Sequence, residues 1–254
     1  MSTINKYYLA KNNFALLFLV VILICIMSVN VEAKELFFDR HKKTVVLDPG
    51  HGGHDRGAHG PDGTYEKTVA LTLARMIAAE LEDKYRVFLT RTDDYRLDIP
   101  ERTALANHQE ADLFISLHTG GSFLHQAGGM TVYYYQEISQ KALLHEADAD
   151  QENLKTGYHL AIWNDLQKRH KAASEVLAEL MQHHLNEKIK YIETRIEGMP
   201  LLVLSGADMP SILVEIGYIT NPSEEKKMLD AKVLADLTKA ISSGIDDFFY
   251  KKNQ

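Results

Sequence analysis

Two hydrophobic patterns alternate along the chain after residue 33. Short apolar runs rich in β-branched residues predict strands at residues 44–48, 85–90, 112–118, 129–135, 201–206 and 211–219. Between these runs, apolar residues recur at spacings of three and four, which is typical of amphipathic helices. This part of the chain has no internal repeat, low-complexity tract or linker rich in proline and serine. The alternation predicts a single α/β domain.

Three long helical segments have recognisable apolar stripes. The stripes are Val69, Leu73, Met76, Ile77 and Leu81 in a helix at 66–83; Val176, Leu177, Leu180, Met181 and Leu185 late in a charged region at 136–190; and Leu234, Leu237, Ile241, Ile245 and Phe248 in the last helix. A further helix is predicted at 100–111, with Pro100 in its first turn. The stretch 112–118 is apolar on both faces, so it is expected to lie centrally in a sheet, whereas 129–135 is expected nearer an edge.

A short helix is predicted to start after the strand at 211–219. Asn221 can cap it, Pro222 suits its first position, and Glu224 is placed to complete a capping box. The chain therefore leaves that strand through a defined turn.

The first 33 residues have the layout of a secretory signal peptide. Two lysines precede the apolar run at 14–27, and Val31 and Ala33 place small side chains where signal peptidase prefers them. The run is shorter than the roughly 20 apolar residues of a membrane span. We expect cleavage after Ala33, export to a periplasm or to the cell wall and extracellular space, and a catalytic domain at 34–254 without a stable membrane span. An uncleaved membrane anchor is the alternative.

Charge and cysteine content narrow the function classes. The formal net charge is −7, and the longest cationic stretches are "HKK" and "YKK", so nucleic acid is not an expected partner. The only cysteine, Cys25, lies in the predicted signal peptide, so the exported chain needs no disulfide. A chain of this length can bury a sizeable core without covalent cross-links.

Ligand-type side chains fall near the carboxyl ends of three predicted strands. His51 follows the first strand, His118 closes the strand at 112–118, and Glu215 lies near the end of the strand at 211–219. Sites in open α/β sheets are built at that edge, and Glu66, at the start of the first long helix, would return to it. Two imidazoles and one carboxylate form a common catalytic zinc set that leaves one coordination position open for water. This pattern fits hydrolysis, which also needs a carboxylate to move a proton.

The glycine-rich stretch "LDPGHGGHDRGAHG" at 47–60 contains three histidines. It has neither of the glycine spacings of nucleotide-binding loops, so we interpret its glycines as conformational. His54 and His59 are interpreted as exposed loop residues, and His125 as part of a surface loop. Five further histidines in charged helical segments are interpreted as solvated, namely His145, His159, His170, His183 and His184.

Four motifs occur in the order found in one enzyme family. They are "LDPGHGG", the "EK" of Glu66 and Lys67, "ADLFISLH" and "ILVEIGYITNP". Together they resemble the zinc-dependent N-acetylmuramoyl-L-alanine amidases of the amidase_3 type. The resemblance covers about residues 44–250, with a helical insertion at about 136–170.

The resemblance implies a fold, a site and a reaction. The fold would be a mixed, mostly parallel twisted sheet with helices on both faces. One Zn²⁺ per chain would be held by His51, Glu66 and His118, and Glu215 would be the general acid/base. The substrate would be peptidoglycan, cut at the amide between the lactyl group of N-acetylmuramic acid and L-alanine. One departure is visible: where the family commonly has His-Ala-Asn, this chain continues from His118 with Thr-Gly-Gly, so its substrate contacts there are expected to differ.

Glu66 and Glu215 also have simpler interpretations that need no metal. Glu66 could be a carboxylate favoured by the helix dipole, and Glu215 could form a structural ion pair with a lysine or arginine inside an apolar strand. At the level of the whole protein, the alternatives are a zinc peptidase acting on the stem peptide and a wall-binding module without catalysis.

The sequence also gives expectations about how the protein reaches the cell wall and about what covers its cleft. The sequence has no recognisable wall-anchoring repeat, so we expect an activator or wall-targeting partner, or affinity of the cleft for glycan. For 136–170 we favour an ordinary helix that packs Leu160, Ile162 and Trp163 on the sheet over a segment that covers the cleft.

Overall fold

The computed structural model describes residues 42–123, 125–137 and 154–252, and for 154–165 and 252 it describes the backbone alone. The predicted signal peptide and Cys25 lie outside these residues, as do the side chains of Leu160, Ile162 and Trp163. Residues Lys43–Gln254 form one compact unit. No helix in the described ranges is long and apolar enough to cross a membrane.

Six strands form one mixed sheet. They are β1 (Thr44–Pro49), β2 (Arg86–Leu89), β3 (Leu113–Gly120), β4 (Met130–Tyr135), β5 (Thr194–Met199) and β6 (Ser211–Tyr218). The spatial order is β2-β1-β3-β6-β4-β5. All neighbouring pairs are parallel except β4 with β6. The carboxyl ends of β1, β3 and β6 therefore share one edge, and the predicted central position of β3 is confirmed.

Helices cover both faces of the sheet, as the resemblance implied. The helices are α1 (Glu66–Leu81), α2 (Ile99–His108), α3 (Leu154–Lys188), α4 (Leu202–Ser205), α5 (Pro222–Met228) and α6 (Ala231–Lys252). Alternate residues of a strand point to opposite faces. Val45 and Ile115 thus share a core with α1, α3 and α6, whereas Val46 and Phe114 share the other core with α2 and α4.

Two secondary-structure predictions were wrong. Residues 201–206 were expected to be a strand, but they contain the short helix α4, which Leu201 precedes in an extended conformation. The strand β5 was not predicted. It lies at the sheet edge and pairs only with β4, and five of its six residues are exposed or half-buried, so its sequence carries few apolar residues.

Two details of the helices also differ from prediction. Val176 was placed in the buried stripe of α3 but is 39% exposed, while its neighbour Leu177 is fully buried. At the start of α5, Asn221 caps the helix through Ser223 N as predicted, but Glu224 does not complete a capping box. Its carboxylate instead accepts hydrogen bonds from Tyr218 N and Gly129 N. Glu224 therefore ties α5 to β6 and to the segment before β4.

Candidate metal centre and active site

The loop after β1 presents His51 at the carboxyl edge of the sheet. His51 has a φ of 60°, a conformation that residues other than glycine rarely adopt. Gly50 N donates a hydrogen bond to Leu117 O, which ties the loop to β3 one residue before His118. A Cβ atom on Gly50 would lie 2.4 Å from His118 Cε1. Glycine at position 50 is thus required for the close approach of the two histidines.

The structure brings together the three residues predicted to bind metal. Glu66 Oε2 lies 3.1 Å from His51 Nε2, and Glu66 Oε1 lies 2.9 Å from His118 Nδ1. One ligand atom of each residue lies within 4.8 Å of the other two, so the cluster could hold a metal ion. The two imidazole rings are edge to face, with centroids 5.1 Å apart. Two nitrogens and one carboxylate oxygen match the usual ligand set of a catalytic zinc site.

Asp55 orients the ring of His51. Its Oδ2 lies 2.9 Å from His51 Nδ1, so Nε2 of the same ring faces Glu66. A carboxylate behind a metal-binding histidine commonly fixes the ring orientation in this way. Burial lowers the pKa of His51, but the hydrogen bonds and charges of Glu66 and Asp55 outweigh that effect and raise it overall.

Glu66 is the buried centre of the cluster. It is 3% exposed, and its carboxylate also accepts hydrogen bonds from Ala58 N and Thr119 N. Burial alone would raise its pKa, but hydrogen bonds with His118 and His51 outweigh this and hold the pKa far below its usual range. Glu66 is therefore an ionised carboxylate, as a metal ligand must be.

Glu215 lies beside the cluster but is not part of it. It pairs with His118 in the register of β3 and β6, and Tyr133 Oη on β4 lies 3.4 Å from its Oε2. Burial raises the pKa of this carboxyl, and the charge of His118 opposes that shift only in part. The ion pairs among the described residues include none to Glu215, so the alternative of a structural ion pair is not observed there.

The other histidines of the described chain lie outside the cluster. His54, His59 and His125 are exposed, as predicted. Among the helical histidines, His183 is exposed, but His170 pairs with Asp208 and His184 with Asp247, so these two are not simply solvated. His145 and the side chain of His159 lie outside the described residues.

The segment Thr-Gly-Gly that follows His118 is closely packed. A Cβ atom on Gly120 would lie 2.9 Å from the Tyr218 ring, and one on Gly121 would lie 3.1 Å from Ala58 Cβ. Thr119 is buried, and its amide hydrogen-bonds to Glu66. The departure noted in the sequence therefore places an aromatic ring where a side chain at position 120 would lie.

The sequence did not identify the polar residues behind the cluster. Asp48 is fully buried and accepts hydrogen bonds from Thr90, Ser116 and Arg102. Arg91 is also fully buried. Arginine is usually an exposed residue, so only the density of charged residues at 91–102 could have drawn attention to this region.

Two curated relatives with clear sequence similarity carry the name of the same enzyme. The chain is 31% identical over 225 residues to the N-acetylmuramoyl-L-alanine amidases AmiA of Salmonella typhimurium and of Escherichia coli. In both cases the match covers 82% of this chain and 77% of the relative.

Solved structures give the same result for the fold. The crystal structure of an N-acetylmuramoyl-L-alanine amidase from Clostridium difficile 630 has a TM-score of 0.66 and 27% sequence identity, and the match covers 83% of this chain and 98% of that one. The catalytic domain of CwlV from Bacillus (Paenibacillus) polymyxa has a TM-score of 0.64 at 26% identity, with coverage of 82% and 98%.

The fold and the site together define a mixed α/β enzyme domain that carries a His-Glu-His cluster at the carboxyl edge of its sheet. The model of the Amidase_3 family, described as N-acetylmuramoyl-L-alanine amidase, matches residues 45–247. The chain belongs to this family, and the resemblance seen in the sequence is confirmed.

Proposed function

We propose that this protein is a zinc-dependent amidase that acts on peptidoglycan. The bond cut is the amide between the lactyl group of N-acetylmuramic acid and the L-alanine of the stem peptide. The observation that carries the proposal is the convergence of His51, Glu66 and His118 within 4.8 Å, in a chain of the Amidase_3 family. Export of the protein, and a wall-targeting partner, are part of the proposal and rest on the sequence alone.

The three clustered residues are proposed to hold one Zn²⁺ per chain. The nitrogen and oxygen donors, the ionised Glu66 and the oriented ring of His51 suit this ion. When bound, Zn²⁺ acts as a Lewis acid on the scissile carbonyl and lowers the pKa of a coordinated water to about 7.

Glu215 is proposed as the general acid/base. It accepts a proton from the attacking water, whose oxygen bonds to the lactyl carbonyl carbon. As the carbon–nitrogen bond breaks, Glu215 donates the proton to the leaving amino group of L-alanine. Burial raises the pKa of Glu215 above its ordinary value, which suits a group that must both accept and donate a proton.

A digest of purified sacculi with and without a chelator tests the reaction. We expect stem peptides with a free L-alanine amino terminus, detected by mass spectrometry, and their loss when the metal is removed. Shortened stems still attached to sugar would identify the alternative zinc peptidase. No product from a protein that binds zinc would favour the non-catalytic wall-binding module.

Substitution of Glu215 separates catalysis from metal binding. Glu215→Gln is expected to retain zinc and to lose activity by about 100- to 10,000-fold, the usual contribution of a general acid/base. His118→Ala is expected to lose both. Glu197→Gln, at an exposed position near Glu215 on β5, is the matched control and should retain activity. Normal activity of Glu215→Gln on sacculi would contradict the assigned role.

A further inference from the structure

The backbone carbonyls around His51 face three cationic side chains, which we call the carbonyl clamp: Lys67, Arg91 and Arg102. Pro49 O accepts hydrogen bonds from Arg91 Nε and Arg102 Nη1, both at 2.9 Å. Gly50 O accepts one from Arg91 Nη2 at 2.7 Å, and His51 O accepts one from Arg102 Nη2 at 2.9 Å. Lys67 Nζ donates to Gly53 O at 2.7 Å. Four carbonyls of one short loop are thus held by three cations.

The two arginines of the clamp are buried at an energetic cost. Arg91 is fully buried and Arg102 is 4% exposed. Arg102 pairs with the buried carboxylate of Asp48 at 2.8 Å, whereas the hydrogen bonds found for Arg91 go to backbone carbonyls. An apolar side chain of similar volume would fill such a place at a lower desolvation cost. An apolar side chain, however, cannot supply the five hydrogen-bond donors that the planar guanidinium of arginine presents.

The clamp joins the segments that carry the three clustered residues. Arg91 Nη2 donates both to Gly50 O, next to His51, and to Lys67 O at 2.8 Å, next to Glu66. One nitrogen atom therefore fixes the loop of His51 relative to the start of α1. Asp48, the partner of Arg102, also accepts a hydrogen bond from Ser116, two residues before His118.

We propose that Arg91 and Arg102, assisted by Lys67, are positioning residues for the metal centre. The hydrogen bonds described for them reach none of the side chains of His51, Glu66 and His118; they hold the backbone at His51 in its left-handed conformation and fix it against Glu66. This inference rests on the proposed zinc function. Three cations also repel a divalent ion through their charge. Removal of the clamp therefore weakens zinc binding if positioning dominates, and strengthens it if charge repulsion dominates.

Zinc affinity is the measurement that distinguishes positioning from general stabilisation. Arg91→Lys and Arg102→Lys keep the charge but remove the planar fork. The dissociation constant is measured by competition with a chromophoric chelator at a temperature where circular dichroism shows each variant folded. Each constant is expected to rise about 10- to 100-fold, the range seen when groups behind metal ligands are changed. The cobalt(II) absorption spectrum is expected to shift in both variants.

Arg75→Lys is the matched control, because Arg75 donates to a backbone carbonyl, Thr92 O, from an exposed position on α1. Its zinc affinity should equal that of the parent. If a buried arginine variant does not fold, Lys67→Gln at the rim of the clamp is expected to raise the constant in the same direction.

Two results would overturn the inference in distinguishable ways. A parent protein that binds zinc, with clamp variants of unchanged or tighter affinity, would leave the proposed function standing and show that the clamp only stabilises the fold. A parent protein that binds no zinc would overturn both the proposed function and the inference.

Discussion

At the scale of single residues, the cluster depends on positions where a side chain would not fit. Gly57 has a φ of 66°, and a Cβ atom there would lie 2.5 Å from Glu66 Oε2 and 2.6 Å from His51 Cδ2. Either the backbone or both site residues would have to move. Gly63 in the same segment also has a positive φ, 97°, but a Cβ atom there would meet nothing within 4 Å.

The two glycines give a prediction with an internal control. Gly57→Ala is expected to raise the zinc dissociation constant by about 10- to 100-fold, because it displaces Glu66 and His51. Gly63→Ala carries the backbone strain without the clash, so it should lower the free energy of unfolding by about 1–2 kcal/mol and leave zinc affinity unchanged. Chelator competition and urea unfolding of both variants check this. Unchanged zinc affinity in Gly57→Ala would show that the clash is relieved without displacing Glu66 and His51.

The three clustered residues and Glu215 could be located from the sequence because their positions follow from strand order. His51, His118 and Glu215 each lie near the end of an apolar run, and parallel strands bring such ends to one edge. The residues behind them could not be located in this way. Whether Arg91 is buried depends on carbonyls of residues 49 and 50, and no local pattern around position 91 encodes that contact.

At the scale of elements, the carboxylates of Glu224 and Glu225 tie α5 to distant loops. Glu224 bonds to the segment before β4, as described above. Glu225 is fully buried and accepts hydrogen bonds from Asp62 N at 2.8 Å and Thr64 N at 3.0 Å. It thereby anchors the loop that leads into α1. Burial tends to raise the pKa of Glu225, but these hydrogen bonds outweigh it and lower the pKa.

Removal of this charge is expected to destabilise the protein in a pH-dependent way. Glu225→Gln should lower the free energy of unfolding at neutral pH by about 2 kcal/mol, because hydrogen bonds to a charged group are lost. The folded pKa lies below the unfolded one, so the contribution of Glu225 is complete above the unfolded value near 4.5. It is lost as the pH falls through the lower folded value.

Urea unfolding of the parent and Glu225→Gln between about pH 7 and pH 3 measures this effect, since the difference between them should shrink below the unfolded pKa. Glu179→Gln, at an exposed position of α3, is the control and should differ little from the parent at any pH. A difference that stays constant with pH would show that shape rather than charge anchors the loop.

The two errors of the secondary-structure prediction, the strand at 201–206 and the missed strand β5, have opposite physical causes. Residues 201–206 are apolar enough for a buried strand, but a short apolar run cannot be distinguished from a turn of buried helix by its pattern. In β5, Thr194 and Ile196 alternate with Arg195 and Glu197, which is a weak strand signal at an edge that faces solvent. Both errors lie away from the site edge formed by β1, β3 and β6, so they did not affect the prediction of the cluster.

At the scale of the whole molecule, the proposed metal centre can form only when the sheet does. Its three residues come from the loop after β1, the start of α1 and the end of β3, and the chain between His51 and His118 includes β2 and α2. The unfolded chain does not hold these groups together, so zinc should bind the folded state selectively. Binding free energy then adds to folding free energy.

Zinc is therefore expected to raise the melting temperature, and only when all three residues are present. Free zinc at about 100 times its dissociation constant adds about 2.7 kcal/mol, or roughly 5–10 °C for a domain of this size. Differential scanning calorimetry with zinc and with chelator measures the shift.

His118→Ala should abolish the shift in melting temperature, whereas Glu215→Gln should keep it, because Glu215 lies beside the cluster rather than in it. His184→Ala, on α3 and paired with Asp247, is the histidine control and should also keep it. A full shift in His118→Ala would mean that zinc stabilises the fold from another place, and the assignment of the centre to His51, Glu66 and His118 would be wrong.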